Sequence, residues 1–161
     1  MPEALSESRM TNQDSDPIQN SVVHQAISKF DCAIVLIDNA IMPAELQRLL
    51  GALRDFDEAA LLHLSNVASP PWQDESFRAF ASGNRRRQIA IAGNVTEPYV
   101  VGLCLYCLEE GHQTFCIDMD LSSTDPARHL NLGRLTHSGA VLLSIEQFAA
   151  ELSFGLNHDS T

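Results

Sequence analysis

Basic residues are what this chain has least of. Ten lysines and arginines face twenty-one aspartates and glutamates, giving a net charge of -11. An acidic surface disfavours nonspecific binding to nucleic acid or to an anionic membrane. Lys29 is the only lysine, and the one basic run, Arg85-Arg86-Arg87, falls just before an apolar strand-like stretch. A solvated loop is expected there rather than a nucleic-acid patch. No apolar run is long enough to span a bilayer. The opening MPEALSESRMTNQDSD has no apolar core of the kind a secretory signal needs. These absences point to a cytoplasmic protein with neither a nucleic-acid nor a membrane partner.

Metal and phosphate motifs are also missing. The six histidines are scattered, with no H-x-x-x-H pair and no His/Asp cluster in sequence. Gly93-Asn94-Val95 is too sparse to be a glycine-rich phosphate loop. The four cysteines, Cys32, Cys104, Cys107 and Cys116, all lie in apolar patterns, which suits buried free thiols in a reducing compartment. Cys104-Leu105-Tyr106-Cys107 is formally a C-x-x-C, but it sits inside a helical pattern and no second pair completes a zinc site. No metal and no cofactor are expected from these spacings.

What is present is an alternation of short apolar runs with helical patterns. Cys32-Ala33-Ile34-Val35-Leu36-Ile37 reads as a buried parallel strand. A helix over 43–54 follows, opened by Pro43, with Leu46, Leu49, Leu50 and Leu53 on one face. Further strands are expected over 59–64, 88–92, 114–117 and 140–143. Helices are expected over 74–81, from Thr96 to Glu110, over 126–137 and over 145–154. Gly111 and Gly139 stop two of these helices, and Ser144 with Gln147 forms a capping box for the last. A short amphipathic helix is expected over 21–29. Residues 1–20 read as a disordered tail, 21–156 as one domain, and 157–161 as a second tail. The alternation implies a three-layer α/β/α fold on a parallel sheet of about five strands.

In such a fold, ligands sit at the carboxyl ends of the strands. Asp38 ends the first strand. Asn94, Val95, Thr96 and Glu97 form the turn and helix entry after the third. Each has a plain structural reading as well: Asp38 with Asn39 makes a turn, and Thr96, Glu97 and Pro98 suit a helix start.

Several motifs occur in an order that resembles the isochorismatase-like hydrolase superfamily, which includes nicotinamidases and cysteine amidohydrolases, and within it the YcaC-type branch. Pro71-Trp72-Gln73-Asp74-Glu75-Ser76-Phe77 resembles that branch's N-x-W-x-x-x-x-F helix entry, and Ile89-Ala90-Ile91-Ala92-Gly93-Asn94-Val95-Thr96-Glu97 its strand and A-G-x-x-T-E turn. Leu108-Glu109-Glu110-Gly111, Arg128-His129, Gly139-Ala140 and Glu151-Leu152 follow in order. The resemblance covers roughly residues 30–154. It implies an Asp base ending the first strand, a Lys after the third strand, and a Cys nucleophile opening the helix after the fourth strand. It also implies backbone N–H groups as an oxyanion hole, often beside a cis peptide at Val95-Thr96.

Only the Asp, Asp38, is in place. The family's T-E-V-C-V reads Thr96-Glu97-Pro98-Tyr99-Val100 here, which puts Tyr99 at the ancestral nucleophile position. A phenol is a poor nucleophile at neutral pH beside a thiolate, and its ring would plug the pocket. The stretch that would carry the Lys is absent, because Leu64 is followed within eight residues by Trp72. The family's edge strand goes with it, leaving the strand order 2-1-3-4-5. The D-x-H metal pattern of nicotinamidases is absent, since Asn39-Ala40 follow Asp38, and the family's Asp-Ala after the fifth strand reads Met119-Asp120. The resemblance therefore implies a degenerate member that binds a small molecule or a protein, as a homo-oligomer or paired with a homologue. The rival is a residual hydrolase of a small amide or isochorismate-like metabolite that uses Asp38 and water.

Overall fold

The computed structural model describes residues 26–119 and 123–160. The expected tail over 1–20, the 21–25 part of the first expected helix, and Asp120 lie outside them.

The central strands form because their residues are apolar without interruption and can be buried on both faces. The strands are β1 (Cys32–Ile37), β2 (Leu61–Leu64), β3 (Gln88–Gly93), β4 (Gln113–Asp118) and β5 (Val141–Leu143). Every residue of β1 and β3 is buried. All pairings are parallel, in the order β2-β1-β3-β4-β5, as expected, and Val35 pairs with Ile91.

Alternate residues of each strand face opposite layers. Ile34 and Leu36, Ala90 and Ala92, and Phe115 and Ile117 meet α1 (Pro43–Ala52) and the last helix, α5 (Ile145–Ser160), through Leu49, Leu53, Phe148 and Leu152. Val35, Ile37, Ile91 and Cys116 face the other layer, made of α2 (Glu75–Gly83), α3 (Pro98–Glu109) and α4 (Pro126–Ser138). The three layers are those expected. The Ser144 and Gln147 box closes reciprocally at 2.8 and 3.1 Å, and Gly111 and Gly139 take positive φ at the ends of α3 and α4.

Four local expectations are corrected. The last helix, expected over 145–154 and followed by a tail over 157–161, runs on to Ser160. Residues 26–28 are not helical: the Ile27 N–H is held by Glu151 and the Ser28 N–H by Gln88, so side chains take the donors a helix would have used. Residues 58–60 form a 3-10 turn ahead of β2 rather than its start, with Asp57 accepting from the Ala59 N–H. Helix α3 begins at Pro98, with Glu97 and not Thr96 in the capping position. Proline fixes the first helical φ and has no N–H to satisfy, so it sets the start.

Two contacts brace the carboxyl edge. A Cβ on Gly93 would lie 2.7 Å from Val100 Cγ2 and 3.2 Å from the Ile37 carbonyl oxygen. The end of β3 therefore passes close to β1 and under the first turn of α3 only because residue 93 has no side chain. Along α3, Gly102 accepts the indole of Trp72, which stacks on Tyr106 at 6.3 Å between ring centroids, while Phe77 meets Tyr106 edge-on at 6.0 Å. This cluster seats the loop after β2 on α3. A Cβ at position 102 would come within 2.6 Å of the Trp72 ring. Gly102→Ala is therefore expected to destabilise the protein by about 1–2 kcal/mol in urea unfolding, with overpacking outweighing the helix propensity that alanine adds.

Candidate functional site

The strand order reverses direction between β1 and β3, and open α/β sheets place their ligand crevice at the carboxyl side of such a point. Here that point lies between Asp38–Asn39 and Gly93–Asn94. The chain itself occupies it. The Asn94 side chain, 5% exposed, donates to the carbonyls of Ala40 at 2.8 Å and Asn39 at 3.3 Å. Val100 lies over Gly93. Val95 is fully buried, and its carbonyl accepts from Asn131 of α4 at 2.7 Å. The Glu97 N–H closes the turn on the Asn94 carbonyl at 2.9 Å, so it is not turned toward a ligand. All described peptide bonds are trans, so the cis bond implied at Val95-Thr96 is not present.

Tyr99 is half-buried, and its hydroxyl donates to the Ala68 carbonyl at 3.3 Å. It leans toward the short loop after β2. Asp38 is bonded elsewhere, to His63 and Ser65.

Asp38 Oδ2 accepts from Ser65 Oγ at 2.9 Å and meets His63 Nε2 at 2.8 Å. Ser65 Oγ and His63 Nε2 are 3.4 Å apart. Burial alone would raise the Asp38 carboxyl. The hydrogen bonds from His63 and Ser65, the charge of His63 and the Asn66 backbone N–H outweigh it and hold the group below the usual carboxylate range. Asn39 adds a second tie: its amide donates to the Val67 carbonyl at 2.8 Å and accepts from the Val67 N–H at 2.9 Å. Asn66, between them, takes a left-handed φ of 52°. Two adjacent side chains thus fasten the loop over 65–67 to the end of β1.

His63 and Ser65 are not visible as partners of Asp38 in the sequence. The pairing of Leu36 with His63 and of Ile37 with Leu64 brings them there. The available signal was the one polar residue in Leu61-Leu62-His63-Leu64. A second pair, Arg128 with Asp118 at 2.6 Å, locks α4 to the end of β4.

No thiol reaches this edge. All four cysteines are buried. Burial pushes the Cys32 and Cys107 thiols up to about 12, and a contact with Cys116 together with burial pushes Cys104 well above its ordinary value. They should react slowly with a thiol reagent in the folded protein and fully in urea. Among the described residues, no three His, Cys, Asp or Glu side chains cluster, and no helix is long and apolar enough to cross a membrane.

The sign of the Asp38 effect follows from its lowered value. A carboxyl depressed on folding adds stability above its unfolded value, about 3.9, and loses it as the pH falls through the folded value. Asp38→Asn should therefore flatten the acid limb of stability below about pH 5, as read from urea midpoints across that range.

No protein-family model and no curated protein matches this chain. Solved structures do. The YcaC gene product of Escherichia coli, described as an octameric hydrolase of unknown specificity, superposes with a TM-score of 0.63 at 22% identity, covering 84% of this chain and 85% of that one. YcaC from Pseudomonas aeruginosa, solved with hexane-2,5-diol and covalent acrylamide, superposes with a TM-score of 0.63 at 20% identity, covering 85% and 87%. The chain therefore shares the fold of these YcaC structures.

Proposed function

We propose that this chain is a catalytically degenerate isochorismatase-like protein that acts by binding a small molecule or a protein rather than by thiol hydrolysis. The observation that carries the reading is Tyr99. It stands where the resemblance implies a cysteine, and its hydroxyl is spent on the Ala68 carbonyl. Three further features support it. Asn94 and Val100 fill the switch point. Asp38 is bonded to its own chain and held ionised, which weakens it as a base. No lysine reaches the site, because Lys29 precedes β1 at the opposite end of the sheet.

Self-association, or pairing with a homologue, belongs to the same reading. The Escherichia coli YcaC protein is octameric, and this chain exposes Leu130 (70%) and the edge-strand Val141 (38%). Buried free thiols fit a reducing, cytoplasmic setting.

One observation favours a hydrolytic alternative: the Asp38 side chain remains 21% exposed beside His63 and Ser65, so water can reach the carboxylate. Assays of small-amide and isochorismate-type hydrolysis separate the two. The binding reading expects turnover by the unaltered protein to equal that of Asp38→Ala. It also expects Tyr99→Cys to stay near background, since a missing acid–base group alone costs about 10²–10⁴-fold. Turnover abolished by Asp38→Ala would establish the water-based hydrolase instead.

A further inference from the structure

A cavity of about 230 Å³ opens at the amino end of the sheet, where α1 ends against α5. Phe56, Ala149 and Leu152 give it an apolar wall, and Phe56 and Leu152 are buried. Lys29 and Arg54 border it, with Asp55 beside them. Sites for drug-sized ligands begin near about 300 Å³, so this one suits a body of only a few carbons.

Neither cation is neutralised within the chain. The Lys29 ammonium has the Phe30 ring at 5.7 Å, and among the described residues no carboxylate pairs with it or with Arg54. That is unexpected in a chain with twenty-one acidic and ten basic residues. Arg86 and Arg87, at the same edge, are paired with Asp57 and Asp31. The two free cations also sit on closed turns. The Asp31 N–H bonds the Ser28 carbonyl at 3.0 Å, across Lys29, and the Phe56 N–H bonds the Leu53 carbonyl at 2.9 Å, across Arg54. Arg86 joins the first turn to the wall: it donates to the Lys29 carbonyl at 3.1 Å and lies over the Phe56 ring at 5.9 Å. Little order is left to lose when a ligand binds, which favours affinity.

We propose that this cavity binds a small organic acid, a monocarboxylate whose charge meets Lys29 and Arg54 and whose apolar body lies against Phe56 and Leu152. A guanidinium fork matches a carboxylate. Two cations against Asp55 leave one positive charge to be met, and the carbonyl end of α1 adds a partial negative charge. Both favour a monoanion over a phosphate ester, which carries about two negative charges. The apolar wall selects against an inorganic ion. This site lies at the opposite end of the sheet from Asp38. It goes beyond the binding reading, and the presence or absence of hydrolysis at Asp38 leaves it standing.

The test is titration of the full chain with sodium hexanoate, followed by amide proton and nitrogen shifts. One saturable site is expected, with the shifts centred on Gly51, Ala52, Ala149 and Leu152, and with affinity falling as salt rises. Arg54→Gln and Lys29→Gln should each weaken binding about three- to tenfold. Arg85→Gln, an exposed arginine that does not border the cavity, should leave it unchanged. 1-Hexanol and inorganic phosphate should each bind more weakly than hexanoate. No saturation by about 10 mM, shifts centred elsewhere, equal affinity in both glutamine variants at 29 and 54, or phosphate binding as well as hexanoate would each overturn the proposal.

Discussion

The carboxyl end of β1 carries two neighbouring side chains on which the edge of this molecule depends. Asp38 takes donors from His63 and Ser65, and Asn39 pairs with both backbone groups of Val67. Strand β2 is only four residues long and has a neighbour on one side. Short edge strands with unpaired outer backbone are prone to fray or to recruit other chains. The Asp38–Asn39 tie anchors β2 from its exit. The Trp72 indole, seated on Gly102 and Tyr106, holds the other end of the same short connection.

Most of the architecture was legible because it rests on signals that tertiary context seldom overrides. The unbroken apolar run Cys32-Ala33-Ile34-Val35-Leu36-Ile37 can be satisfied only by burial on both faces. The glycines after α3 and α4, and the reciprocal Ser144–Gln147 box, are local chemistry that needs no knowledge of the rest of the chain. The errors came where local propensity met a long-range partner. Residues 26–28 have a helical pattern, yet Glu151 and Gln88 claim the N–H groups that a helix would use. Thr96 is a good capping residue, but the proline two positions on decides where α3 starts.

The candidate site was legible in position but not in content. Asp38 at a strand end and the turn from Asn94 to Glu97 are where a parallel sheet puts them. What surrounds Asp38 was hidden, because His63 and Ser65 are 25 and 27 residues away in sequence and reach it only through parallel register. Likewise, Asn94 looked like a residue free to meet a ligand. Its amide is instead committed to the Ala40 and Asn39 carbonyls, a choice set by how close β1 and β3 run at Gly93.

The features that separate this chain from the catalytic pattern its sequence resembles are physically linked. On the proposed reading, the short connection from Leu64 to Trp72 stands where a lysine-bearing stretch is missing, and among the described residues β2 pairs with β1 alone. The nearest groups able to hold the end of β2 are the side chains at the close of β1, and the hydrogen bonds that do so are the ones that keep Asp38 ionised. A carboxylate that accepts from His63 and Ser65 gives up basicity while it orders the loop. On the proposed reading, a thiol at position 99 would then face a weakened base and no lysine, and nothing would oppose its replacement by a residue that packs. Tyr99 does pack: its hydroxyl closes on Ala68, in the same shortened loop that Asp38 and Asn39 restrain.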